Sequence, residues 1–515
     1  MGKDLKEILS SGKNDFDRGD DYQKKFAVLR VDIDESDADE KREARVNGAE
    51  NLRQTAKELE KKESRKKAET RKSTGEKAHA PSAESVVISE GTLLIYQGKG
   101  GQVVIPRTVK AIGWRAFYSH KTLRKIVIPK SVESIGADAF NHCSALQKVK
   151  LHNGLRSIEW RAFAECKAIR KAVIPKTAES IGEEAFLDCS SLKTAVIRKG
   201  VKSIESGTFM NCTSLARLSL PDTVESIGTK AFFGCASLKN AVIPQGVKSI
   251  GALAFLGCKG LKKAVVPEST ESLGYGVFSG CSALREIVVK NGNPAFKTED
   301  GNLYTADGKV LMAYACGKDE NRFVVQHGVE RIEKYAFTWS NVSEVVVPMG
   351  VKSIGDWAFY GCDNLKTIVI PEGVAVLGER VFSWCKSLSA VVLPCDIKSV
   401  KHNAFSRSYN IKCVIGSARS VGLLDSALRE KTFFKFIERF KKGLVSDEEV
   451  GIWKKTVTDN TVACFRAMKN DVDFYRFVLD KHWLDKNDVN TILSFTDSIQ
   501  CRGLISAFRD TADLV

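Results

Sequence analysis

The sequence predicts an α+β fold: a solenoid whose rungs pair a β-strand with a turn or short helix, followed by a small α-helical domain. Three observations lead there. A phenylalanine recurs every 23 residues at Phe117, Phe140, Phe163, Phe186, Phe209, Phe232, Phe255 and Phe278, and the series resumes at Phe337, Phe359, Phe382 and Phe405 with steps of 22, 23 and 23. Inside each unit, alternating apolar residues run up to a proline. After Ser417 the apolar period becomes helical.

The 515 residues suffice for about two to four domains or for one long array. Residues 1–85 read as a charged leader, partly helical or disordered. Its acidic run, DIDESDADE, is followed by Val46, Ala49, Leu52, Ala56 and Leu59 at helical spacing. That spacing fits a solvated helix or a weak coiled coil. The basic stretch over 61–82 has no interleaved aromatic residue and reads as a linker rather than a nucleic-acid segment. No apolar h-region opens the chain, so no signal peptide is expected. With fourteen cysteines, the expectation is reduced thiols in a cytoplasm. No apolar run reaches the length of a membrane span.

Residues 86–415 carry the repeat. In one unit Leu123, Ile126 and Ile128 follow an L-x-x-L-x-L pattern, and Ile126 and Ile128 alternate as the inward residues of a strand. Pro129 ends the strand. Val132 and Ile135 form a second short apolar element, Gly136 permits a turn, and Ala139 and Phe140 return to the core. A period between 20 and 29 marks leucine-rich-repeat solenoids, whose rungs bury their apolar sides only against neighbours. Each ladder phenylalanine is worth about 1.5–3 kcal/mol by area. The opening, GTLLIYQGKGGQVVIP, reads as two strands joined by a glycine turn. The Asp307-Gly308 pair predicts a β-hairpin insert at about 290–328.

Three motifs together resemble the BspA-type branch of leucine-rich repeats over about residues 90–415. They are the unit I-P-x-x-V-x-x-I-G-x-x-A-F-x-x-C-x-x-L, the opening G-x-L-x-x-Y-x-G-x-G-G, and the insert N-P…D-G-x-L-Y…G-x-x-L. The resemblance implies a bacterial binding protein, commonly at the cell surface, that recognises proteins or host-cell surfaces. A cell-surface or secreted location is thus the alternative to the cytoplasm.

Residues 416–515 read as an α-helical domain. Leu423, Leu424, Ala427, Phe434 and Ile437 stand at helical spacing, and Asp485 and Asn487 are candidate caps. Two readings stand: a cap over the open end of the solenoid, or a separate protein-binding module that weakly resembles ankyrin-like helix pairs.

The chain shows no catalytic constellation. Cysteines recur three residues after the ladder phenylalanine, from Cys143 to Cys281 and at Cys362 and Cys385. One ligand per rung forms a line, whereas zinc needs four that converge. Rung-to-rung disulfides need Cα atoms about 4.4–6.8 Å apart. The cysteines read as small apolar filling. The seven histidines form no H-E-x-x-H pair, and no Walker A or G-x-S-x-G motif occurs. The expectation is a non-enzyme without cofactor or metal.

The sheet face expected to be concave carries the candidate binding residues. One outward column holds Lys125, Lys148, Lys171, Arg217 and Lys263; the next holds Val127, Val173, Val196 and Val242. A protein partner is expected; an acidic polymer or nucleic acid is the alternative. Residues 1–80 and 414–515 nearly balance their charges, so +14 of the net +16 falls in 81–413. Basic surface also serves solubility, so the field alone does not separate these readings. A third column alternates in sign through Lys110, Glu133, Arg156, Glu179, Lys202, Glu225, Lys248 and Glu271. Ser or Thr alternates with Gly two residues earlier, so the structural unit reads as a pair of rungs.

Overall fold

The computed structural model describes residues 86–512. The helix expected over 46–59 lies outside the described residues. Each unit makes one rung with two strands and a turn side. Leu123–Val127 is followed by Ser134–Ile135, and the chain returns through consecutive turns. Both strand types pair in parallel with their equivalents one rung on, as in Lys125↔Lys148 and Ile135↔Ile158. The result is a β-solenoid of about 14 turns followed by helices.

The turn side contains no helix in the described rungs. It bends at two residues of left-handed backbone per rung, as at Asp138 (φ 56°) and His142 (φ 61°). The ladder phenylalanines stack beneath these bends. Phe140 and Phe163 lie 5.1 Å apart at 4°, and Phe209 and Phe232 lie 5.6 Å apart at 3°. Such stacks add about 0.5–1.5 kcal/mol to the gain from burial.

Gly136 opens the expected turn, its carbonyl accepting from Ala139 N at 3.2 Å, and has a second task besides. A Cβ there would stand 3.0 Å from Gly113 C and from Ile112 O, so glycine is needed for the approach of two rungs. The Ser/Thr–Gly alternation also has a physical basis. Ser131, Thr177, Thr223 and Ser269 donate their hydroxyls to Val109, Leu155, Val201 and Val247 carbonyls one rung earlier. At the intervening Gly154, Gly200 and Gly246, a Cβ would meet carbonyl oxygens at 2.6–2.7 Å.

The opening has its two expected strands joined by the glycine segment, but the strands lie in different sheets. Thr92–Tyr96 pairs antiparallel with Val86–Ser89 and then parallel with Ala111–Ile112. Gly101–Val104 belongs to the other sheet, beside Leu123–Val127. The glycine segment at 98–101 therefore carries the chain between sheets and does not close a hairpin.

The insert is a three-stranded meander. Phe296–Glu299 pairs with Asn302–Thr305, which pairs with Val310–Ala313, and the last strand rejoins the short-strand sheet beside Arg331–Ile332. The turn side skips the insert: Ser279 Oγ donates to Tyr335 O at 2.7 Å, and Tyr275 stacks on Tyr335. The core inside the solenoid falls into two clusters that meet at the insert, one over 93–315 and one over 304–428, and a third lies between the last strands and the helices.

The helical stretch after Ser417 is broken where its period predicts continuity. Ala418–Gly422 and Ser426–Arg429 are separate short helices, because Asp425 Oδ1 accepts from Leu428 N at 2.9 Å and restarts the helix. Thr432 then bridges to Val414, and Phe433–Lys441 begins afresh. Asp485 Oδ1 accepts from Asn487 N at 2.9 Å, forming a turn before the helix Val489–Phe495, while Asn487 caps nothing. Solenoid and helices form one compact unit.

Candidate binding surface

The structure places Lys125, Lys148, Lys171, Arg217 and Lys263 on the outward side of the long strands, all exposed. Within each sheet they stand in register: Lys125↔Lys148, Lys171↔Thr194↔Arg217, and Asn240↔Lys263. Lys125 Nζ reaches Gln102 Oε1 at 3.4 Å. Lys263 is paired with Glu286 one rung on, so the column's basic field weakens there.

The valine column is less open than expected. Val242 is 76% exposed, but Val127, Val173 and Val196 are half-buried between their neighbours in the sheet. Its end is not surface at all. Ala390 and Val392 of one strand and Cys413 and Ile415 of the next point outward and are buried under Phe433, Phe436, Trp453 and Phe465. Phe436 stacks on Trp453 at 4.6 Å. Arg466 Nη1 reaches Met349 Sδ at 3.1 Å, where the covered region meets the open sheet.

The helices therefore do two jobs. Val421 and Leu428 of the first two, with Leu424 between them, close the solenoid core, and the later helices lie on the outer side of its last strands. Sequence reasoning missed the second job. The signal was available: the outward positions that hold Lys or Thr in earlier rungs become Ala390 and Cys413.

A second column of cations was also missed. Arg124, Arg170, Lys193, Lys239, Lys262 and Arg285 stand one residue before the first column and are all exposed. Backbone bonds hold them in step, as Lys193 N to Arg170 O at 2.9 Å and Lys262 N to Lys239 O at 3.2 Å.

The alternating charges sit on the short-strand side. Arg156 lies 4.0 Å from Glu133 and 3.4 Å from Glu179, and Lys248 lies 3.8 Å from Glu225. After the insert Glu330 lies between Lys309 and Lys352 at 3.1 and 2.6 Å.

The cysteine ladder is buried, and its thiols are hydrogen-bond donors as well as filling. Cys143, Cys166 and Cys189 donate to the carbonyls of Phe117, Phe140 and Phe163 at 3.0, 3.1 and 3.2 Å. Burial pushes the Cys143 thiol up to about 12, so it remains protonated. In the last rung Ser408 takes the same place and donates to Phe382 O at 2.6 Å. Among the described residues no three His, Cys, Asp or Glu side chains gather as metal ligands. No helix there is long and apolar enough to cross a membrane.

Parallel rungs, a stacked phenylalanine spine and a broad outward sheet define the class: a leucine-rich-repeat solenoid, the kind of scaffold that binds along an extended surface. The chain belongs to the BspA-type leucine-rich-repeat family, whose six-copy repeat region matches residues 96–216, 202–299 and 313–428. It is similar to a leucine-rich cell surface protein of Faecalibacterium prausnitzii, with 27% identity and a TM-score of 0.52 over 67% of this chain and 89% of that one. It is also similar to a leucine-rich-repeat protein of Bacteroides ovatus, with 29% identity and a TM-score of 0.46 over 66% and 86%. No curated protein matches the chain.

Proposed function

We propose that this protein is a non-catalytic binding scaffold that holds a protein partner on the open part of its long-strand face. One observation carries the reading. The outward columns stay accessible through the rungs before the insert, and only over the last strands, from Val369 onward, does the chain cover them with its own helices. Half-buried valines beside exposed cations give that surface both apolar area and charge, the usual ingredients of a protein contact. The buried ladder thiols, held protonated, supply no nucleophile.

Location has two readings. Fourteen unpaired cysteines fit a reducing compartment. The Faecalibacterium relative is described as a cell surface protein, which favours a partner outside the cell.

The test is site-specific photo-crosslinking in the full chain. A photo-reactive residue at Val242 or Thr194 should capture the partner, and one at Glu179 or Lys202 on the short-strand side should not. Capture from the short-strand side alone would overturn the proposal.

A further inference from the structure

Eight consecutive rungs, from that of Lys125 to that of Arg285, each present at least one exposed cation on two adjacent columns. The columns complete one another. Where the Arg124 column lapses at Gln147 and Ala216, the Lys125 column supplies Lys148 and Arg217. Where the Lys125 column lapses at Thr194, Asn240 and Glu286, the Arg124 column supplies Lys193, Lys239 and Arg285. At about 4.8 Å per rung the band is about 34 Å long. Along it, a shallow groove of about 600 Å³ is lined by Lys193, Lys239 and Lys262 together with Ala216, Ala236 and Ala283.

The valine column runs beside this band on the same strands, two residues beyond the Lys125 column. A ligand lying along the rungs meets both rows at once. A phosphate or sulfate polymer would use the cations and leave the valines idle. No aromatic ring stands on the three columns between these rungs to stack a base or a sugar. A polypeptide can supply carboxylates to one row and aliphatic side chains to the other.

We propose that this band receives an acidic polypeptide segment that also carries aliphatic side chains. The inference rests on the scaffold reading above and names the chemistry of its partner. The cations attract the segment over about a Debye length of 8 Å at physiological salt, and the valines and the small-residue groove fix it once it is close.

The test uses the full chain and fluorescence anisotropy with four labelled probes matched in charge: a peptide alternating acidic and aliphatic residues, poly-glutamate, oligo-deoxythymidine and a heparin oligosaccharide. The mixed peptide should bind most tightly. Lys193→Glu with Lys239→Glu and Lys262→Glu should weaken it at least about tenfold and flatten its salt dependence. Val173→Thr with Val196→Thr and Val242→Thr should weaken the mixed peptide several-fold and leave poly-glutamate unchanged. Lys431→Glu with Lys441→Glu and Lys454→Glu, in the helical region, is the control with equal net charge. Circular dichroism verifies that each variant is folded.

Tighter binding of the oligonucleotide or heparin would overturn the proposal, as would an equal loss in the control. A partner crosslinked at Val242 whose affinity ignores the three solenoid lysine reversals would overturn the acidic segment alone. The scaffold reading would survive that result.

Discussion

The thiol of Cys143 donates to the carbonyl oxygen of Phe117, 3.0 Å away and one rung earlier. The same bond recurs from Cys212 to Phe186 O at 3.2 Å. A cysteine here fills space and satisfies a buried carbonyl, which an alanine would not do. Cys212→Ala should cost about 1–3 kcal/mol, from a cavity and a lost donor. Cys212→Ser should cost less, because Ser408 already occupies this position in the last rung. Thermal melts of the two variants decide it, and equal losses would mean that packing alone matters.

Cys395 is the one cysteine that is not fully buried. Burial, and next the nearby Glu372 carboxylate, raise its thiol to about 11. Thiol labelling of the folded chain at pH 8 should therefore be slow and limited to about one group, and should accelerate as pH rises toward that value. Release of several thiols before unfolding would contradict the packing described.

Gly274 is pressed against the previous rung: a Cβ there would lie 2.3 Å from Ala252 N. Gly274→Ala should force two rungs apart and cost about 1–3 kcal/mol or more. Gly451→Ala, on a helix with open space around it, serves as the control and should be neutral or stabilising.

Arg156 stands between Glu133 and Glu179, at 66% exposure. Arg156→Glu should lower the melting temperature at low salt, with a loss of about 0.2–1 kcal/mol. The loss should shrink in high salt as screening grows. A loss independent of salt would point to side-chain packing instead of charge.

Asp356 sets a pH dependence. Burial works against its charged form, but a bond from Glu379 N at 2.8 Å and ion pairs to Lys334 and Lys401 at 3.0 and 3.2 Å outweigh it. Its carboxyl is held below the ordinary value of 3.8. The stability it contributes is present above that value and is lost as pH falls through the lower, native one. Asp356→Asn should melt below the wild type at pH 7, and the gap should close in acid.

Much of this architecture is legible in the sequence because a solenoid repeats its physics. The phase of Phe140 fixes the spine, and Ile126 and Ile128 fix the strand's inward side. The alternation of Glu133 and Arg156 marks neighbours across rungs. What escapes is set by distances rather than residue types. Gly136 looks like a turn residue until the previous rung is seen against it. Cys143 looks like filling until the Phe117 carbonyl is found within reach of its sulfur. Rung by rung the valine column reads as outward surface, whereas Val392 is covered by helices that come later in the chain. The second cation column needed only the same phase argument applied one residue earlier.

The division of the core at the insert has a mechanical consequence. Force applied to the two ends should strip the solenoid one rung at a time, each rung releasing about 80 Å of contour. The meander over 296–313 contributes Leu303 to one cluster and Tyr304 to the other. It cannot be peeled as a single rung, so a force–extension trace should show a regular staircase broken once by a longer step.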